Sequence, residues 1–239
     1  IYDTEALQSW WNILPMYWKA LFSKQIQLSS EATTEQLHEI INMQELDLSG
    51  NTYVQNLLPV SRLTNLRVLN IANTGITYLQ PIASLPNLET LIIEHTYIAD
   101  LSPLQDLSSL KYLNIMNTPV TDLSALHNDN NIEVIMADST AINRQKVIDL
   151  KKVQREVTVV YQTEQLRNWW TGLDSNWKII LKNHVGCQSE MPNAFELQQI
   201  VDLREIVISP ETPIKSLEPL ADFIWLERLT INNQAVHDL

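Results

Sequence analysis

Apolar residues recur along the middle of this chain at one fixed interval, as from Leu69 to Leu91 to Leu113. Three consecutive blocks, "LTNLRVLNIANTGITYLQPIAS", "LPNLETLIIEHTYIADLSPLQD" and "LSSLKYLNIMNTPVTDLSALHN", align without a gap. In each block a short segment alternates apolar and polar residues, which is typical of a strand with one buried face. The leucine-containing segment that follows is too short for a long helix and indicates a 3₁₀ or irregular turn. The pattern therefore predicts a stack of coils, each with one short strand.

Columns of equivalent residues define the repeat. One column is formed by threonines: Thr52, Thr74, Thr96, Thr118 and Thr140. Two apolar columns fill the strand segments: Leu69, Leu91, Leu113, Ile135 and Val157, and then Ile71, Ile93, Ile115, Ala137 and Val159. We expect these apolar columns to stack into one continuous core.

The repeat carries the motif L-x-x-L-x-L-x-x-T-x-I, as at Leu66, Leu69, Ile71, Thr74 and Ile76. This motif resembles the leucine-rich repeat, and most closely the 22-residue subclass of bacterial internalins. The resemblance covers about residues 43–161 and resumes at 203–239. It implies an α/β solenoid whose parallel strands line the concave face. The family usually has Asn where this chain has Thr, so we expect the threonine hydroxyls to form a weaker hydrogen-bonding ladder between coils.

The segment before the first coil predicts a cover for the open end of the solenoid, which would otherwise expose core and strand edge. "TEALQSWWNILPMYWKALFSKQI" has apolar residues at helical spacings, among them Trp10, Trp11 and Trp18. A second amphipathic helix is predicted over "TTEQLHEII". We interpret these two helices as an N-terminal cap of about residues 1–42. Such tryptophan-bearing caps resemble those of leucine-rich repeat proteins from Bacteroidetes-type bacteria.

The tryptophan pattern returns after the repeats in "TEQLRNWWTGLDSNWKIIL", as Trp169, Trp170 and Trp177. After a one-residue insertion, the second cap helix and the first strands also match the first copy. The unit of cap plus solenoid is therefore duplicated in tandem.

The predicted first unit, 1–162, has a cap and six coils and finishes with a short helix over Ile142 to Lys152 and a strand over Val157 to Val160. The predicted second unit, 163–239, has a cap at about 163–202 and a shortened solenoid.

Composition and motifs narrow the possible functions. The formal charge of -12 disfavours nucleic acid, whose phosphates require Lys and Arg. No apolar run is long enough to span a bilayer, so we expect no membrane insertion. The single cysteine, Cys187, predicts an ordinary thiol. No catalytic motif is present, and His95 beside Glu94 is expected to face solvent. We therefore expect no enzyme, no metal and no cofactor.

The outward-facing strand positions are more apolar at their centre than a solvated sheet requires. They predict a partner-binding concave face: Val68, Asn70, Ile92, Glu94, Tyr112, Asn114, Met116, Val134 and Met136. The prediction is a non-enzymatic, monomeric module that binds a protein or peptide. Strand propensity alone, or contact with the second unit, would also account for these apolar positions.

Two other functions stay open from the sequence. The units could be a structural spacer in a larger surface protein, or they could bind glycans through exposed tryptophans. A chain that begins at Ile1 and has one cysteine favours export to a bacterial cell envelope over the cytoplasm.

Overall fold

The structure, a computed structural model, describes residues 3–26, 32–127 and 131–232. The chain divides into two units, Ile1–Val157 and Thr158–Leu239. The first unit contains α1 (Thr4–Ile13), α2 (Met16–Gln25), α3 (Thr34–Ile41), β1 (Glu45–Asp47), β2 (Val68–Asn70), β3 (Thr90–Ile92), β4 (Tyr112–Asn114), β5 (Val134–Met136) and α4 (Arg144–Lys151). The second unit contains β6 (Thr158–Val160), α5 (Thr163–Gly172), α6 (Ser175–Val185), α7 (Ala194–Val201), β7 (Glu205–Ile208) and β8 (Arg228–Ile231).

The predicted sixth coil of the first unit and the predicted boundary after Gln162 stay predictions. Residues 27–31 of the predicted first cap and 233–239 of the predicted second solenoid lie outside the described residues.

Strands β1 to β5 form a parallel sheet in sequence order. Leu69 pairs with Leu91, Leu91 with Leu113, and Leu113 with Ile135, so one core column runs straight across the sheet. All four side chains are fully buried. Parallel neighbours follow because each crossover is one complete turn of the coil. The α/β solenoid with stacked parallel strands is therefore confirmed.

Short 3₁₀ segments occupy the side of each coil opposite its strand, as predicted. They span Leu58–Arg62, Gln80–Ile82, Ser102–Leu104 and Ser124–Leu126. Three of the four have a proline in their first turn, where the missing N–H leaves no acceptor unpaired. Helix α4 replaces this segment at the end of the first unit, close to the predicted range.

The threonine column bonds within each coil and not between coils. The hydroxyls of Thr74, Thr96 and Thr118 donate to the carbonyl oxygen three residues earlier, at 2.7, 2.7 and 2.6 Å. The residue before each threonine has a positive φ of 57°, 54° or 53°, so the chain turns sharply there and brings that carbonyl within reach. The predicted inter-coil threonine ladder was wrong because the short hydroxyl side chain reaches only its own turn.

The inter-coil ladder of side chains stands in a different column, just before the strands. Asn87 Nδ2 donates to Thr64 O at 2.9 Å, and Ser109 Oγ donates to Pro86 O at 2.7 Å. Asn131 Nδ2 repeats the contact one coil later, to a carbonyl oxygen at 3.0 Å. These three positions recur once per coil, and this periodicity was a signal that the sequence analysis did not use.

The first coil is one residue longer than the others before its second strand begins. The register places Glu45 opposite Val68 and Val68 opposite Thr90, so Asn51 and not Thr52 is equivalent to Thr74. Asn51 Nδ2 donates to the carbonyl oxygen three residues earlier at 2.8 Å, whereas Thr52 is exposed. The inclusion of Thr52 in the threonine column was therefore wrong, and the first coil has the Asn that the family resemblance implies.

The cap of the first unit contains three helices and not two. Leu14 is extended, with φ -63° and ψ 137°, and Pro15 is the N-cap residue of α2. The prediction of one helix through this segment failed because proline lacks an N–H and disfavours the α conformation in the residue before it. Helix α3 begins as predicted, where Thr33 and Gln36 form a reciprocal capping box.

The cap tryptophans are core residues. Trp11 is 3 % exposed and Trp18 is fully buried, with its ring centroid 5.4 Å from that of Phe22. In the second unit, Trp170 and Trp177 share one apolar cluster with Ile206 of β7. In the second unit the indoles therefore pack on the strand that follows the cap, and the same role for the indoles of the first cap stays a prediction. A glycan platform of exposed tryptophans is contradicted, because five of the six cap indoles are buried and the sixth, Trp169, is half-buried.

Both caps also bond to the outer edge of the strand that follows them, β1 in the first unit and β7 in the second. Gln25 Nε2 donates to Asp47 O at 3.2 Å. At the equivalent place in the second unit, Val207 N donates to His184 Nε2 at 3.0 Å. His184 Nδ1 lies 2.8 Å from Ile180 O, which fits the neutral ring with its proton on Nδ1. An edge that has such a partner is a poorer template for pairing with another chain.

Substitution of His184 by Ala is expected to expose the β7 edge. The Val207 amide loses its acceptor, which costs about 1 kcal/mol of local stability, and its hydrogen exchange becomes faster. Exchange read by NMR at that amide measures the effect. Asn183→Ala, an exposed neighbour on α6, is the control, and an unchanged Val207 exchange rate in H184A would contradict the assignment.

A salt bridge attaches α4 to the fourth coil and should give the first unit an acid-sensitive contribution. Lys146 Nζ lies 2.6 Å from Asp122 Oδ1. The hydrogen bond from Lys146, followed by that from the Ser124 hydroxyl, lowers the Asp122 pKa from 3.8 to about 2. Stabilisation is therefore present above pH 3.8 and is lost as the pH falls towards 2.

We expect Asp122→Asn to lower the free energy of unfolding at neutral pH by about 0.5–1 kcal/mol, since both side chains are more than a third exposed. The difference from wild type should shrink as the pH falls to about 2, where the wild-type carboxyl also becomes neutral. Chemical denaturation across this range measures it, with Asp106→Asn as control. A difference that is independent of pH would assign the loss to packing.

Candidate functional site

The outward residues of the first unit form aligned columns on the sheet. Val68, Thr90, Tyr112 and Val134 stand side by side in register, as do Asn70, Ile92, Asn114 and Met136. Adjacent strands lie about 4.8 Å apart, so neighbours within a column are in contact range. The structure thus brings seven of the nine predicted site residues into two adjoining rows. Glu94 and Met116 directly follow the core residue after β3 and β4 and form part of a third row.

The apolar residues of this concave surface shield one another. Each is half-buried: Val68, Ile92, Tyr112, Met116, Val134 and Met136. A half-buried side chain on a rigid sheet still has apolar area that a partner can cover, and it has little rotamer freedom left to lose. The surface is therefore already ordered for contact.

Asn114 differs from the other predicted site residues because it is only 8 % exposed. Its Oδ1 accepts from Met116 N at 3.0 Å, and its Nδ2 donates to Glu94 Oε2 at 2.8 Å. Both ends of the amide are therefore engaged. Asn114 holds Glu94 in place more than it offers a surface of its own.

Tyr112 lies at the centre of the concave surface, and the charge of Glu94 affects its pKa. Burial of the phenol, followed by the negative charge of Glu94, raises the Tyr112 pKa above its usual 10.0. The hydroxyl is therefore protonated throughout the neutral range. A neutral tyrosine at the centre of an apolar patch is a common anchor at protein interfaces.

Charged residues line the side of the sheet where the strands begin. Arg67 Nη2 lies 2.6 Å from Glu89 Oε1, and Lys111 Nζ lies 3.6 Å from Glu89 Oε2. The Arg67 hydrogen bond is the main cause that lowers the Glu89 pKa. These pairs connect three successive coils, and each basic side chain directly precedes a strand of the sheet.

Glu94 and His95, and the groups that could bind a metal, were the candidates for chemistry on the first unit and in the rest of the described residues. His95 Nε2 lies 3.3 Å from Asn117 Nδ2, whereas the Glu94 carboxylate bonds to Asn114, so the two neighbours do not form an acid–base pair. Among residues 3–26, 32–127 and 131–232, no group of three His, Cys, Asp or Glu side chains could hold a metal ion. Cys187 is buried, as an ordinary thiol would be. No helix in this part of the chain is long and apolar enough to cross a membrane.

The second unit has a cavity of about 520 Å³ beside its cap, which the sequence analysis did not anticipate. Trp169, Leu173 and Trp177 form part of its wall, and Lys215 and Glu218 contribute polar rim groups. Gly172 also lines this cavity, whereas the equivalent residue of the first cap is the exposed Ile13. A glycine at this position leaves space that a longer side chain would occupy.

Titration of Tyr112 tests the arrangement at the centre of the concave surface. We expect the tyrosinate absorbance that is lost in Tyr112→Phe to develop above pH 10.0. Glu94→Gln should lower this pKa only in part, because burial is the larger cause. The Tyr112 pKa is higher in the folded protein than in the unfolded chain. The stabilisation that neutral Tyr112 contributes is therefore complete below the unfolded-state pKa, and it is lost as the pH rises through the folded-state pKa. A Tyr112 pKa below 10.0, or one raised further by E94Q, would contradict the geometry.

Comparisons with known proteins identify repeats in the middle of the first unit. A family model for leucine-rich repeats matches residues 64–105 and 86–128. Among curated proteins, none matches this chain. A crystal structure of internalin C2 from Listeria monocytogenes matches with a TM-score of 0.47 and 22 % identity, over 82 % of this chain and 65 % of that one.

A second internalin of the same species matches with a TM-score of 0.45 and 18 % identity, over 92 % of this chain and 56 % of that one. A leucine-rich repeat protein of Leptospira interrogans matches with a TM-score of 0.43 and 19 % identity, over 54 % of this chain and 40 % of that one. The chain thus spans less than two thirds of the length of each of these proteins. Residues 64–128 match the model for leucine-rich repeats, and these residues form coils of the parallel-stranded solenoid of the first unit.

Proposed function

We propose that the first unit is a non-enzymatic module that binds a protein or peptide through its concave surface. The observation that supports this most directly is the set of half-buried apolar side chains, aligned in register around Tyr112. Protein interaction is the general role of leucine-rich repeats, and the choice of the concave surface is our proposal. The predicted site residues become its contact set, with Asn114 as the support of Glu94.

The dimensions of the surface favour a polypeptide over a metabolite. Strands β1 to β5 at about 4.8 Å spacing span roughly 19 Å, which suits a peptide or one side of a small protein. A small metabolite would require a pocket that encloses most of its area, whereas an open sheet covers only one side. Tyr112, Met116 and Met136 are residue types that are enriched where protein partners make their strongest contacts.

The scaffold supports such binding because its backbone is already fixed. Each strand is bonded to its neighbours in register, and the Asn87 and Ser109 side chains connect successive coils. A partner therefore does not have to order the surface that it binds, which removes one cost of association. Affinity then depends on a few central side chains, with Tyr112 as the leading candidate.

Removal of the central side chain should abolish binding without unfolding the chain. A library of displayed peptides and small domains is selected on the immobilised full chain, and the binders are then measured against variants. We expect Tyr112→Ala and Met136→Glu each to weaken binding by about 30-fold or more, as at an interface hot spot. Their melting temperatures should stay within a few degrees of wild type.

The matched control is Tyr97→Ala, which removes an exposed tyrosine outside the concave surface. It should leave every binder unaffected. Binders that respond to Tyr97→Ala but not to Tyr112→Ala would place the working surface elsewhere. A selection without any specific binder would favour the spacer role.

Export to a bacterial envelope stays a prediction.

A further inference from the structure

The concave surface carries acidic side chains without basic ones among them. The outward strand positions of β1 include Glu45 and Asp47, and no outward position of β1 to β5 is Lys or Arg. Glu94 adds a carboxylate in the row that follows the strands. Because Arg67 and Lys111 both bind Glu89, they do not neutralise this charge.

A hydrogen bond holds the Glu94 carboxylate at the apolar centre of the surface. Glu94 is half-buried, and Asn114 Nδ2 donates to its Oε2 at 2.8 Å. Asn114 is in turn fixed by the backbone N–H of Met116, at 3.0 Å. In the described part of the chain, no Lys or Arg forms an ion pair with Glu94. Tyr112 and Asn114 are two residues apart on β4 and therefore point to the same side of the sheet, so the Glu94 carboxylate bonded to Asn114 lies beside Tyr112.

We propose that the concave surface recognises a peptide segment through an arginine side chain that pairs with Glu94 beside Tyr112; this rests on the proposed function. A guanidinium donates two parallel N–H bonds to a carboxylate and can lie flat on an aromatic ring at the same time. Lysine has a single point charge, so it makes neither the two parallel hydrogen bonds nor the flat stacking contact. Apolar side chains next to the arginine cover Ile92, Met116 and Met136.

The partner is a segment and not free arginine. The surface around Glu94 is open, so a single amino acid would cover little of the apolar area and would lose most of its binding energy to the cost of association. Several residues in an extended conformation contact the rows on both sides of Tyr112. The arginine selects the register of the segment, and the apolar residues supply most of the affinity.

Selection of displayed linear peptides on the full chain, at low ionic strength, tests this recognition. We expect arginine to be enriched at one position beside apolar residues. A selected peptide should lose roughly tenfold in affinity on Glu94→Gln, in proportion to a charge-assisted hydrogen bond. Replacement of that arginine by citrulline, which keeps the shape and removes the charge, should lose as much. The two changes together should lose no more than either alone.

The control is Glu39→Gln on α3, an exposed glutamate outside the concave surface, which should leave peptide affinity unchanged. Peptides that depend on Tyr112 but contain no enriched arginine, or that ignore Glu94→Gln, overturn the arginine contact and leave the proposed function intact. A selection in which no peptide or domain depends on Tyr112 overturns the proposed function itself. A loss that is equal for Glu39→Gln and Glu94→Gln would assign the effect to net charge and also overturn the contact.

Discussion

The structure depends on the burial of one coil against the next. Leu69, Leu91 and Leu113 have no exposed area, yet each belongs to a short coil that cannot enclose its own core. The neighbouring coil supplies the missing wall, and the in-register strand bonds fix the spacing. Every other feature follows from this dependence, because a stack that is stable in its interior is exposed at its ends.

The caps cover the exposed apolar end of a stack with large aromatic side chains. An indole covers more apolar area than any aliphatic residue, so a few tryptophans suffice to cover a strand and the turn beside it. The apolar cluster that joins Trp170 and Trp177 to Ile206 and Ile208 shows that cap and coil share one core. The bonds from Gln25 and to His184 add cover for the strand edge, which an apolar residue could not provide.

Features that recur with the repeat period were predicted correctly from the sequence. Features in which a single residue changes the backbone geometry were not. The buried columns and the cap tryptophans follow from period and apolar content, so they were predicted correctly. Pro15, by contrast, divides a segment whose apolar spacing is helical throughout. The extra residue near Thr52 follows from the longer spacing between the first two strands. The recurrence of threonine at every 22nd residue nevertheless led to the wrong alignment of Thr52.

Hydrogen bonds were less predictable than packing because they depend on reach. The threonine and Asn87 columns have the same period, and only the structure shows that the hydroxyls bond within a coil while the Asn87 amide bonds to the coil before. The same limit applied to the concave surface. Its composition predicted an apolar centre, but the burial of Asn114 and its bond to Glu94 depend on side-chain directions that no spacing records.

The two copies of the cap show which contacts the fold requires and which it can exchange. The buried indoles of Trp18 and Trp177 occupy equivalent places, but Trp177 Nε1 donates to Ser216 O at 3.1 Å, whereas Trp18 Nε1 has no hydrogen-bond partner in the described part of the chain. Pro15 is the N-cap residue of α2 and makes no side-chain cap bond, whereas the equivalent Asp174 accepts from two backbone N–H groups of α6. Since both copies build the same cap, apolar burial is the common requirement and polar contacts are adjustable. The outward surfaces of the coils are free of that requirement, and this freedom allows a row of strands to acquire Tyr112 and Glu94 without loss of the fold.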